Sequence, residues 1–146
     1  MKISTKGRYG LRALVDMAAN IEGKPISLTS VANRQNISLN YLEQVFGTLR
    51  KAEIVISAKG SSGGYLLARQ AKDISVKEIL ECLEGKFAIV DRNPTEMQDP
   101  LQQTIQTLLW DEIDDKVNQL LEAKTLEQLV DEYKQVQDQN NQMFYI

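Results

Sequence analysis

The stretch "IVISAKGSSGGYLLA", residues 54–68, constrains the fold most, because it reads as a β-hairpin inside a chain that otherwise reads as helix. Two short aliphatic or β-branched runs, residues 54–57 and 65–68, flank a Lys-Gly-Ser-Ser-Gly-Gly turn, the pattern of paired strands around a glycine-rich connection. Three amphipathic patterns precede it. In "TKGRYGLRALVDMAANIEG", Tyr9, Leu11, Leu14, Val15, Met17, Ala18 and Ile21 recur at three- and four-residue steps, which predicts a helix over residues 5–21, ended by Gly23 and Pro25. "SLTSVANRQN" offers Ser27 as an N-cap and predicts a short helix over residues 28–35, broken at Asn36. "SLNYLEQVFGTLRKAE" places Ser38 at a cap and Leu42, Val45, Phe46 and Leu49 on one stripe, so a third helix runs to about residue 52.

Two helices on a tight connection followed by a glycine-rich hairpin make a winged helix-turn-helix. The expected fold is mostly α with a small β-hairpin wing. Such a unit suits DNA: the third helix fits a major groove roughly 12 Å wide, and a basic wing reaches the neighbouring backbone or minor groove. With its apolar stripe removed, the third helix offers Ser38, Asn40, Tyr41, Glu43, Gln44, Thr48, Arg50 and Lys51. Gln44 can bond an adenine through two hydrogen bonds, Glu43 can accept from a cytosine amino group, and Tyr41 can meet a phosphate or a thymine methyl. Lys59 and Gly60 mark the wing tip, and Lys2, Ser4, Lys6 and Arg8 add phosphate contacts at the basic N-terminus. Taken singly, each of these side chains also reads as ordinary solvated surface, and the wing turn as a plain loop. "KGSSGG" lacks the spacing of a nucleotide-cradling loop.

Beyond the hairpin, "SVKEILECLEG" predicts a helix with Val76, Ile79, Leu80 and Leu83 inward, ended by Gly85. Residues 1–85 then form one DNA-binding unit, and residues 86–99, with Pro94 and several charges, an exposed connector. From Pro100 an apolar stripe of Leu101, Ile105, Leu108, Ile113, Val117, Leu120 and Leu121 predicts a helix on the order of 30 Å long. With a compact unit already complete, this helix is expected to pack against its counterpart in a second chain. Dimerisation helices over residues 100–134, including a short helix at 125–133, would be followed by a flexible tail at 135–146.

The net charge of −3 hides an asymmetry. Residues 1–70 carry ten Lys and Arg against four Asp and Glu, a balance of +6, whereas residues 71–146 carry seven against sixteen, a balance of −9. A basic half suits a polyanion, and the acidic half is left for another task. One cysteine, Cys82, excludes an intrachain disulfide, and the lack of histidine removes the usual zinc ligands. No metal and no cofactor is expected, and no enzyme, since no nucleophile has an obvious neighbouring base. Neither a signal peptide nor a membrane span is expected, and a reduced, cytoplasmic setting fits.

The polar run 135–142 stops on Met143, Phe144, Tyr145 and Ile146. Three large apolar side chains at a chain end either fold back on this domain or a second copy, or serve as a ligand for another protein.

"KISTKGRYGLRALVDMA", "ISLNYLEQVFGTLRKAEIV" and "KGSSGGYLLA", in that order and spacing, resemble the hallmark stretches of the Rrf2 family of winged-helix repressors. The resemblance implies a homodimer on a pseudo-palindromic operator, with a long dimerisation helix. One branch of that family binds an iron–sulfur cluster through three close cysteines and a histidine. Here the corresponding segment, "GKFAIVDRNPTEMQDPLQQ", has neither residue type, so no cluster is expected. "MKISTKGRYGL", "LEG" near residue 85, Trp110 and the final "MFYI" are similar instead to the cluster-free branch that represses cysteine and sulfur metabolism. That likeness implies cysteine synthase as corepressor, its active site accepting Ile146 and its carboxylate, with Met143, Phe144 and Tyr145 at the rim and O-acetylserine competing. The alternative keeps the DNA-binding unit but has it sense a small molecule or redox state, through the dimer interface or Cys82.

Overall fold

The computed structural model describes residues 2–60, 63–95 and 98–144. Helices α1 (Thr5–Asn20), α2 (Leu28–Gln35) and α3 (Leu39–Lys51) precede strands β1 (Val55–Ala58) and β2 (Gly64–Leu67). A 3-10 turn at Ala71–Asp73 leads into α4 (Val76–Glu84). After the connector, α5 (Pro100–Ile105), a π-helical turn (Gln106–Trp110) and α6 (Asp111–Ala123) run on continuously, and α7 (Leu126–Phe144) follows. The result is mostly helical with one antiparallel hairpin, as the sequence predicts.

Serines start the four helices of the winged unit. The side-chain oxygens of Ser4, Ser27, Ser38 and Ser75 accept from the amides of Gly7, Ser30, Tyr41 and Glu78, and Glu78 returns the bond to the Ser75 amide. Each such cap is worth about 1 kcal/mol. Asn36 ends α2 in the left-handed region at φ 55°, and its amide donates to the Ala32 carbonyl. In the hairpin, Val55 faces Leu67 and Ala58 faces Gly64. Ile26 adds a single bridge to Tyr65, with N–H···O distances of 2.9 and 2.8 Å. Gly64 is required at that crossing, since a Cβ there would overlap the Ile26 carbonyl.

The core gathers Leu14 and Met17 from α1, Val31 from α2, Leu42, Val45, Phe46 and Leu49 from α3, and Ile54, Val55, Ile74 and Ile79 beyond. Among the described residues it holds one buried charge. Asp16 accepts from Arg34 Nε and Nη2 (3.1 and 2.7 Å) and from Gln35 Nε2 (2.7 Å), so α1 is fastened to the end of α2. Hydrogen bonding to this carboxylate, more than its charge, raises the Arg34 pKa above its usual value.

Three expectations are corrected. Residues 1–85 do not close the core alone, because Leu126 and Val130 of α7 are buried in it and α7 packs on α1. The chain returns through two backbone bonds, Val76 N–H to Lys124 O (2.8 Å) and Leu126 N–H to Ile74 O (2.9 Å). Residues 126–134 therefore pack with the winged unit through Leu126 and Val130. Second, the polar run 135–142 is helix: α7 continues to Phe144. Docking of its first turns supplies the costly nucleus, and the following residues, rich in Gln and free of Gly and Pro, propagate it. Third, the connector is not wholly exposed. Phe87, Ile89 and Val90 are half-buried, and the Ile89 amide donates to Asp114 Oδ1 at 2.8 Å.

Candidate nucleic-acid interface

Three residues, Asn36, Ile37 and Ser38, join α2 to α3, and buried Ile37 pins the turn to the core. Because α3 turns Leu42, Val45, Phe46 and Leu49 inward, Ser38, Asn40, Glu43 and Gln44 are left exposed on the opposite face, with Arg50 and Lys51 following at the C-terminal end. Side chains three and four apart share a helix face, so Asn40, Glu43 and Gln44 form one polar patch. Tyr41 is half-buried and meets Tyr9 of α1 edge-on, ring centroids 6.4 Å apart. Thr48 turns back, its hydroxyl donating to the Gln44 carbonyl at 3.2 Å.

In the wing, Lys59 and Gly60 are exposed, and Gly60 takes φ 110° and accepts the Gly63 amide at 2.9 Å. Ser61 and Ser62 lie outside the described residues. A cleft of about 520 Å³ between the end of α3 and the hairpin is lined by Arg50 and Arg69 among others, which places Arg50 beside the hairpin strands. Arg69 was not singled out in the sequence; it pairs with Glu78.

At the N-terminus Lys2 and Arg8 are exposed and Lys6 is half-buried. Arg8 lies 5.8 Å from the Tyr9 ring centroid. Ser4 is differently engaged. Its amide (2.9 Å) and its hydroxyl both donate to Glu84 Oε1, which also accepts the Gly7 amide at 3.0 Å. A carboxylate thus occupies the start of α1, where the helix dipole favours negative charge. Nothing local in the sequence announces this contact, since the partners stand 80 residues apart.

The long helix carries the expected stripe in divided form. Leu101, Leu108 and Leu120 are exposed, Ile105, Ile113 and Val117 are half-buried, and α6 lies along α4. In the tail, Met143 is 77% exposed, while the Phe144 side chain, Tyr145 and Ile146 lie outside the described residues.

The family model described as "Rrf2: Iron-dependent Transcriptional regulator" matches residues 3–132. The chain belongs to the Rrf2 family. Among its relatives, the HTH-type transcriptional regulator CymR of Bacillus subtilis is 39% identical over 146 residues, covering 100% of both chains. IscR of Escherichia coli is 36% identical over 133 residues, 89% of this chain and 80% of that one. The solved structure of CymR, described as the global cysteine regulator of B. subtilis, superposes with a TM-score of 0.77 at 38% identity, covering 90% of this chain and 97% of that chain. The present chain is thus an Rrf2-family helix-turn-helix transcriptional regulator related to CymR and IscR.

The iron of the family description does not fit these residues. The chain has no histidine and one cysteine, and among the described residues no three His, Cys, Asp or Glu side chains come together as a metal-binding group. Cys82 is half-buried against the core, and burial pushes its thiol pKa up, away from the reactive thiolate. Among the described residues no helix is long and apolar enough to cross a membrane.

Proposed function

We propose that this Rrf2 regulator is a sequence-specific repressor of cysteine and sulfur metabolism genes that binds DNA as a homodimer, with cysteine synthase as corepressor. Asn40, Glu43 and Gln44 read base edges. Ser38, Tyr41, Arg50, Lys51, Lys59, Gly60, Lys2, Lys6 and Arg8 meet the backbone. Ser4 joins them only if it leaves Glu84. Leu101, Leu108 and Leu120 lead the dimer contact, supported by Ile105, Ile113 and Val117. Met143, Phe144, Tyr145 and Ile146 dock on the synthase.

The likeness to CymR along the full length of both chains carries the cysteine-metabolism reading. The continuation of α7 to Phe144 supports the docking, because a projecting helix with an exposed Met143 presents its end away from the core. Redox sensing through Cys82 is disfavoured by its raised pKa.

The test is a pair of titrations at about 150 mM salt, where non-specific phosphate binding is weak. Promoter DNA of cysteine-metabolism genes is expected to bind far more tightly than random DNA. Cysteine synthase from the same organism is expected to bind the intact protein and not a version lacking Ile146. Equal binding of both DNAs, with and without the synthase, would sink the repressor reading. Promoter binding without synthase binding would remove only the corepressor.

A further inference from the structure

A groove of about 430 Å³ opens between α1 and α7, lined by none of the residues of the α3–wing cleft. Its floor is apolar, formed by Leu11, Val15 and Leu129, and its polar rim is Arg8, Arg12 and Tyr133. No acidic side chain lines it, although the chain carries more acidic than basic residues.

Among the described residues neither arginine has a carboxylate partner; the ion pairs use Arg34, Arg69 and Arg92. Arg12 is nevertheless held in place. Its Nε donates to Gln35 Oε1 at 2.7 Å, and Gln35 Nε2 donates in turn to the buried Asp16 carboxylate at 2.7 Å. A guanidinium fixed through one nitrogen keeps its two terminal nitrogens for an outside acceptor, in the geometry that suits a carboxylate or phosphate. An apolar hollow of this size with a few converging polar groups is the form of small-molecule sites.

We propose that this groove binds a small organic anion with an apolar body, its acidic head bridged by Arg12 and Arg8 and its body lying on Leu11, Val15 and Leu129. A neutral ligand would forgo the charge-assisted bonds the two arginines offer, and a fully polar anion would leave the floor wet. The site is separate from the proposed synthase contact and from the base-reading residues of α3, and it shares Arg8 with the proposed DNA-backbone contacts.

The test is calorimetric titration of the intact protein with octanoate and with octanamide, its uncharged counterpart. Octanoate is expected to bind at one site per chain and about tenfold more tightly than the amide, as a charge-assisted bond predicts. Arg12→Gln should bring octanoate down to the level of the amide, Arg12→Lys should keep most of the difference, and Lys116→Gln on α6, which removes the same charge elsewhere, should change nothing. Absence of octanoate binding, equal binding of acid and amide, or an equal loss in the Lys116→Gln protein would overturn the proposal. Since no DNA or synthase is present, none of these outcomes depends on the reading of the protein's targets.

Discussion

The winged unit and the helix over residues 100–123 both carry apolar side chains at three- and four-residue steps, yet they dispose of them in opposite ways. In the winged unit the stripes of α1, α3 and α4 converge until Leu14, Met17, Phe46, Leu49 and Ile79 lose contact with water. Along α5, the π turn and α6 no residue is buried at all, and of the nine large apolar side chains exposed among the described residues four, Leu101, Leu108, Leu109 and Leu120, lie there. Periodicity alone therefore does not say whether a stripe is satisfied. What separates the two is the number of elements around them: α1 has α2, α3, α4 and α7 as neighbours, whereas α6 lies against α4 and is bonded to the connector at Asp114. Large apolar side chains left exposed along one helix in this way suit an interface.

The contrast can be broken first in the core. Phe46→Ala should cost about 3–5 kcal/mol in urea unfolding, and Leu126→Ala about 2–5 kcal/mol in the same cooperative transition. If Leu126→Ala left that transition unmoved, α7 would not be part of the winged core. On the exposed helix, Leu108→Asp combined with Leu120→Asp should leave the thermal unfolding of the winged unit nearly unchanged. The same pair should lower the mass seen by light scattering from two chains to one, because each dimer contact would otherwise bury an unpaired charge. Retention of a dimer would move the interface elsewhere. A smaller effect sharpens the assignment of α3 against the wing. Gln44→Ala should reduce discrimination between operator and base-substituted operator by roughly 1–3 kcal/mol, while Lys59→Ala should weaken all sequences alike and lower the salt slope by about 1.

The smallest effect concerns Cys82. Burial raises its folded pKa, so the folded state holds the thiol proton more tightly than the unfolded chain does. Its contribution to stability is therefore complete below the ordinary thiol range, near pH ~8.5, and is lost as pH rises through the higher folded value. Alkylation of Cys82 in the native protein should lag behind free cysteine across that window. Labelling as fast as free cysteine would show an exposed thiolate and revive a redox role.

Much of the winged unit was legible because its signals are local. Ser27 and Ser38 announce helix starts, Asn36 a break, and the glycines around residue 60 a hairpin. The polar patch of α3 followed from subtracting one stripe. What escaped was held by contacts between distant parts of the chain. Asp16 looks like a surface residue of an amphipathic helix until α2 brings Arg34 and Gln35 to it. Glu84 and Ser4 give no sign of each other, and Arg12, Gln35 and Tyr133 meet across one groove only once α7 has folded back on α1. The same return explains why the boundary expected at residue 85 was misplaced: Leu126 and Val130 fill a core that the earlier residues leave open. The length of α7 was hidden for a different reason, since a run of Gln and Asn carries no periodic signal and depends on the docked turns before it.

The two backbone bonds that bracket Ser75, from Val76 to Lys124 and from Leu126 to Ile74, have a mechanical meaning. They tie the end of the α5–α6 run to the body that carries α3, and the Ile89 bond to Asp114 braces that run part-way along. In the dimer proposed above, pairing of two such runs would set the distance and twist between the two α3 helices through braced helices instead of a loose tether, so the paired chains would act as a fixed-span caliper along the DNA.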